Sequence, residues 1–91
     1  MKRERQRLPI RVAATYRAGA QALPERFHVG NVIYDVVEVV DRWYDGGNVA
    51  GRPILHYFKV RTRGDSIFLL AFEPQSDRWF LVKAFGPEVP V

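Results

Sequence analysis

Apolar and polar residues alternate one by one in PIRVAATYRAG, with Ile10, Val12, Ala14 and Tyr16 set against Arg11, Ala13, Thr15 and Arg17. That is strand period, and Pro9 and Gly19 leave little room for a helix between them. AQALP follows as a connection that Pro24 ends. The next stretch, PERFHVGNVIYDVVEVVDRWYDGG, carries two conflicting patterns. Its polar residues Asp35, Glu38, Asp41/Arg42 and Asp45 recur every three or four positions, as on a helix. Its apolar residues Val32, Ile33, Val36, Val37, Val39 and Val40 are β-branched and lose side-chain freedom in a helix. Gly30-Asn31 is a turn signal between Phe27/Val29 and Ile33/Tyr34, which reads as a hairpin. Alternation fails at Val36-Val37 and at Val39-Val40. One β-bulge near Val37 or Glu38 restores it, placing Tyr34, Val36, Val39, Asp41 and Trp43 on one face. The pattern therefore predicts a long bulged strand. DGGNVAGRP, with three glycines and a proline, is a loop.

The second half reads as a three-stranded meander: ILHYFKVRTR, a Gly64-Asp65 turn, SIFLLAFE, a turn over Pro74–Asp77, and RWFLVKAF. A two-residue turn with Gly64 at positive φ sets Arg63 opposite Ser66, Val60 opposite Leu69 and Phe58 opposite Ala71. The second turn sets Glu73 opposite Arg78 and Phe72 opposite Trp79, so opposite charges meet at the hairpin mouth. Alternation then sorts the side chains by face. One face collects Phe58, Val60, Thr62, Ile67, Leu69, Ala71, Phe80, Val82 and Ala84, an apolar layer. The other collects Tyr57, Lys59, Arg61, Arg63, Phe68, Leu70, Phe72, Trp79, Leu81 and Lys83, half apolar and half basic. A face open to water is expected to be polar, so this second face calls for a cover. Three are open: the first half of the chain closing a barrel, a second copy of the protein, or a single-stranded nucleic acid stacking on the aromatics, with Lys59, Arg61 and Arg63 on phosphates.

Length and charge narrow the classes. Ninety-one residues make one domain with a modest core. The expected organisation is a flexible basic arm over 1–7 and a single all-β domain over 8–91, with the tail GPEVPV extended. The net charge of +4 is unevenly spread: residues 1–31 and 52–65 are basic and 32–51 acidic, and a modest positive balance favours polyanions, nucleic acid above all. There is no cysteine, hence no disulfide and no thiolate metal site. No apolar signal core follows the basic start, and no run spans a membrane. A soluble cytoplasmic protein is the expectation.

Candidate chemistry is sparse. Arg63-Gly64-Asp65-Ser66 spells an adhesion tripeptide but sits in a hairpin turn. His28 and His56 are the only histidines, too few for a zinc site without cysteine. Asp35, Glu38, Asp41 and Asp45 read as the solvated charges of an edge strand rather than converging acid–base groups. Ser66 and Ser76 lie in turns, and Gly46-Gly47 and Gly51 match no phosphate-cradling fingerprint. Nothing points to an enzyme, a metal or a cofactor. Trp43 and Trp79 are large anchors, at least one of them a core residue.

The order Pro24-x-x-Phe27, Gly30, Tyr34-x-Val36, Val39, Trp43, then Tyr57-x-x-Val60-x-Thr62, Gly64 and Trp79-x-Leu81 resembles a family of small bacterial domains of unknown function. Some of its members occur near error-prone, Y-family-like DNA polymerase proteins. The resemblance spans about residues 8–85 and implies no catalytic or ligand residues. The neighbourhood implies a nucleic-acid role. The combined expectation is an all-β domain of about six antiparallel strands, a small, partly open barrel or strongly curved sheet. It would serve as a non-enzymatic accessory module. Its binding face comprises Tyr57, Lys59, Arg61, Arg63, Phe68, Phe72, Trp79 and Lys83, for single-stranded nucleic acid or, in the rival reading, for another protein or a second copy.

Overall fold

A computed structural model describes residues 7–15, 23–46 and 51–85. The expected arm (all but Arg7), the tail GPEVPV and part of the DGGNVAGRP loop lie outside the described residues. Six strands follow in order: β1 (Leu8–Thr15), β2 (Leu23–Val29), β3 (Val32–Asp45), β4 (Leu55–Thr62), β5 (Ile67–Glu73) and β6 (Arg78–Phe85). Each pairs antiparallel with the next, and β1 pairs with β6. The result is a closed barrel in simple sequence order. No helix occurs among the described residues, so none is long and apolar enough to cross a membrane. Of the three covers, the first half of the chain is the one in place.

The opening hairpin forms as the pattern predicts. Val29 pairs with Val32 across Gly30-Asn31, and Gly30 takes the positive φ of 59° that a II′-type turn reserves for glycine. The valine-rich run is pleated throughout β3, but it holds two register shifts, one at Val37 and one at Val40. The second shift corrects the face assignment. Val39 pairs with core Val60, whereas Asp41 pairs with Lys59 and Trp43 with Tyr57. Asp41 and Trp43 therefore point outward, away from Tyr34, Val36 and Val39, which pack on the core. Nor is β3 an edge: β2 and β4 flank it on both sides.

The β4–β5 turn supplies the largest correction. Asp65, not Gly64, holds the positive φ, at 69°. The Asp65 N–H donates to the Thr62 carbonyl at 2.8 Å, and the Thr62 N–H to the Ser66 carbonyl at 2.9 Å. This is a three-residue loop closed by a left-handed residue. Aspartate tolerates that conformation better than most residues. The Thr62 hydroxyl also donates to the Ser66 carbonyl, at 3.2 Å, inside the barrel end. One extra loop residue slides the pairing by one. Val60 faces Phe68 and Phe58 faces Leu70, where the two-residue turn would have set them against Leu69 and Ala71. A one-residue slip exchanges the faces of a whole strand.

Consequently Phe68, Leu70 and Phe72 join Phe58 and Val60 in the core, with Phe27, Val29 and Trp79. Ile67, Leu69 and Ala71 turn outward. The expected β5–β6 pairs Glu73/Arg78 and Phe72/Trp79 are present. A register shift at Leu69/Leu70 then leaves Val82 unpaired, so Leu81 and Ala84 face the core while Lys83 faces out. Phe80 pairs with Ala71 on the outside. The interior is an aromatic stack: Phe27 lies 5.3 Å from Tyr34 and 5.1 Å from Phe68, and Phe72 lies 4.7 Å from Trp79. Offset and edge-on rings at such spacings add about 0.5–1.5 kcal/mol per pair beyond area burial.

Candidate functional site

The expected binding face divides between two sides of the sheet. Phe68 is fully buried, and Phe72 and Trp79 retain less than a tenth of their surface, all within the core. Those three are corrected from partner contacts to packing residues, and the turn at Asp65 is the reason. Tyr57, Lys59, Arg61 and Lys83 stand outside as expected, and Arg63 is exposed in the turn.

The slip does not make the outer face polar. It brings a second apolar set there. Cross-strand registers align Trp43, Tyr57, Ala71 and Phe80 in one row over β3–β6, Asp41, Lys59, Leu69 and Lys83 in the next, and Glu38, Arg61, Ile67 and Phe85 in a third. Trp43 stacks on Tyr57 with ring centroids 5.5 Å apart and planes 15° from parallel, and Trp43 remains 42% exposed. Such a pair presents a flat aromatic step to solvent. Ala71 and Phe80 are buried although they lie outside the core cluster, and the Arg78 guanidinium sits 5.4 Å over the Phe80 ring.

Charge is distributed unequally among the cations of this face. Arg61 reaches Glu38 at 3.0 Å and Asp65 at 3.2 Å, and Arg63 lies 3.8 Å from Asp35. Hydrogen bonding to Glu38, above all, raises the Arg61 pKa. Asp35 is held below the ordinary aspartate range, first by its 2.8 Å hydrogen bond from Arg26 and also by the charges of Arg26 and Arg63. These groups are already neutralised in pairs. Lys59 and Lys83 are not: neither has a carboxylate within ion-pair distance among the described residues. Their ammonium groups instead lie 5.4 and 5.2 Å from the Phe85 ring centroid. Cation–π attraction holds two like charges beside one ring, and their mutual repulsion would be relieved by an anion.

Where β3 and β4 leave the barrel, a small cleft of about 160 Å³ is lined by Arg42, Trp43, Tyr44, His56, Tyr57 and Phe58. Tyr44 pairs with His56, their rings 4.6 Å apart, and His56 meets Phe72 at 6.2 Å. Burial lowers the His56 pKa, so its imidazole is neutral near pH 7. No group of three or more metal-ligating side chains converges among the described residues.

No family model matches this chain, and neither a curated protein nor a solved structure matches it. The resemblance to small bacterial domains thus rests on the aromatic and glycine positions alone. Sequence reasoning missed Trp43, Phe80 and Phe85 on the outer face, and Arg42, Tyr44 and His56 at the cleft. The Trp43-Tyr44 pair beside a glycine-rich loop was the one visible signal. The remaining placements depend on bulges and a turn type.

Proposed function

We propose that this domain is a non-enzymatic accessory module that binds single-stranded nucleic acid, weakly and with little sequence preference, on the outer face of β3–β6. The observation that carries the reading is the exposed Trp43–Tyr57 stack beside two ammonium groups, Lys59 and Lys83, that lack carboxylate partners. Every base has a π-face for such a step, and phosphates supply the missing counter-charge. Arg61 and Arg63 contribute less than their charge suggests, because carboxylates already hold them.

The test is a titration with a deoxythymidine decamer across a range of salt, read by tryptophan fluorescence. Two phosphate contacts release enough counterions for a slope of about −1.4 in log K against log salt. Lys59→Ala with Lys83→Ala is expected to remove most of that slope. Trp43→Ala is expected to cost about 1–3 kcal/mol of affinity, the worth of one stacked base. Affinity indifferent to salt and to all three substitutions overturns the proposal.

A rival reading has its own support. Ile33, Val37 and Val40 are exposed large apolar residues on the same strand as Trp43, and such residues suit a homodimer or a protein partner that uses this side of the barrel. Sedimentation distinguishes the two, since a hydrophobic dimer persists at high salt, whereas phosphate binding does not.

A further inference from the structure

We infer that the seam where β1 outruns β6 is a docking edge for an extended segment of another protein, one that alternates apolar and acidic residues and pairs with Arg11–Thr15 as an added strand. This goes beyond the nucleic-acid reading and does not depend on it. The barrel closes through a short seam: only Leu8, Pro9 and Ile10 of β1 pair with β6, on Leu81, Phe80 and Trp79. Upstream of Trp79, β6 offers only Arg78 before the turn over Pro74–Asp77. β1 runs on to Thr15, held there by β2 on its other side. At about 3.3 Å per residue, roughly 16 Å of edge over Arg11–Thr15 has no backbone partner among the described residues.

A groove of about 500 Å³ follows this seam, within the range of about 300–1,000 Å³ common for ligand sites. Consecutive residues from Pro9 to Val12 line it, together with Ala14, Arg78 and Trp79. Neighbours in a strand point to opposite faces, so a lining of consecutive residues marks a gap between strands rather than one face. On the inner side, Ile10, Val12 and Ala14 are half-buried against the core. On the outer side, Arg11 is exposed and stands next in register to Arg78. Val12, Ala13, Ala14 and Thr15 include none of the prolines or charges that blunt an open edge.

Backbone and charge together choose the occupant. The bare N–H and C=O groups of a strand edge are matched by the backbone of another extended chain. A nucleic acid brings phosphate acceptors but no regular row of donors for the edge carbonyls. Arg11 and Arg78 have no carboxylate within ion-pair distance among the described residues, and like charges side by side repel. Asp77 also lines the groove, which still leaves it net positive. An added strand turns alternate side chains to opposite sides. Its apolar residues then lie beside Val12 and Ala14, and its acidic residues beside Arg11 and Arg78. A second copy of β1 does not supply that pattern, because Leu8–Thr15 holds no carboxylate side chain.

The whole protein is titrated with a fluorescein-labelled, end-capped peptide of alternating glutamate and valine, six residues long, and binding is read by anisotropy. The same peptide with lysine for glutamate is expected to bind about tenfold more weakly, since it forgoes charge-assisted contacts. Arg11→Glu is expected to reverse that order. Arg11 is exposed and without an ion pair among the described residues, so this variant should keep the wild-type urea midpoint. Two further peptides carry N-methyl groups on all valines or on all glutamates. Alternate residues of a strand turn their N–H groups to the same neighbour, so one pattern should abolish binding and the other spare it. Loss with both patterns, or with neither, overturns the strand pairing. Equal affinity for the glutamate and lysine peptides overturns the charge assignment. Displacement of the peptide by a deoxythymidine decamer makes the seam part of the nucleic-acid surface and overturns the inference. A protein that binds no peptide overturns it too, and sedimentation as a dimer would then give the edge to a second copy.

Discussion

Phe68 and its neighbour Leu69 exchange roles between the two possible turn geometries, and a pair of substitutions separates them. With Asp65 left-handed, Phe68 is fully buried and meets Phe27 at 5.1 Å and Tyr34 at 4.7 Å. Phe68→Leu keeps most of the apolar surface but loses two ring contacts, each about 0.5–1.5 kcal/mol. Adding a small cavity, the expected cost is about 1.5–4 kcal/mol. Leu69 faces outward between Lys59 and Lys83 and is half-buried. Full burial of a leucine is worth about 1.5–3 kcal/mol, so Leu69→Ala should cost about 1 kcal/mol or less. Against a total stability of roughly 5–14 kcal/mol for a chain of this size, the first change is large and the second small. Urea unfolding followed by tryptophan fluorescence reads both, since Trp79 is buried and Trp43 exposed. With a slope of about 1 kcal/mol/M, the midpoints should drop by roughly 1.5–4 M and about 1 M or less, respectively. Were Leu69→Ala the costlier change, the two-residue turn would be correct, and β5 would turn Ile67, Leu69 and Ala71, rather than Phe68, Leu70 and Phe72, toward Phe58 and Val60.

Gly46 and Gly51 both hold positive φ, at 91° and 83°, but a Cβ on Gly46 would meet the Pro53 carbonyl oxygen at 2.3 Å, whereas one on Gly51 meets nothing within 4 Å. Gly51→Ala should cost about 1–2 kcal/mol of backbone strain, and Gly46→Ala distinctly more; equal unfolding midpoints for the two variants would contradict the close approach of β3 to Pro53. Asp35 titrates below the ordinary aspartate range because of Arg26, so its charge stabilises the fold fully above about pH 3.9, and that contribution is lost as pH falls through the lower folded value. Melting temperature measured from pH 6 to pH 2 should therefore fall less steeply in Asp35→Asn than in the wild type, and identical acid limbs would refute the pairing.

Composition and periodicity alone determined that this chain is all-β, that Gly30-Asn31 closes a hairpin, that the valine run is pleated despite its helical polar spacing, and that Phe72 faces Trp79. Those features follow from local preferences: β-branched side chains, turn residues and period-two alternation act over a few residues and are written in them. Only the tertiary structure decided which side of each strand is interior. Either geometry of the Arg63-Gly64-Asp65-Ser66 turn satisfies the local chain. The choice falls to the loop in which Phe68, rather than Leu69, packs against the stacked rings of Phe27 and Tyr34. The same holds for the second shift at Val40, which sends Trp43 outward to Tyr57. Because side chains alternate, a single residue of slip at either place reassigns every aromatic beyond it. A binding surface on a small barrel is thus fixed by the packing of its opposite side, and that packing joins residues about thirty to forty positions apart, beyond the reach of any local pattern.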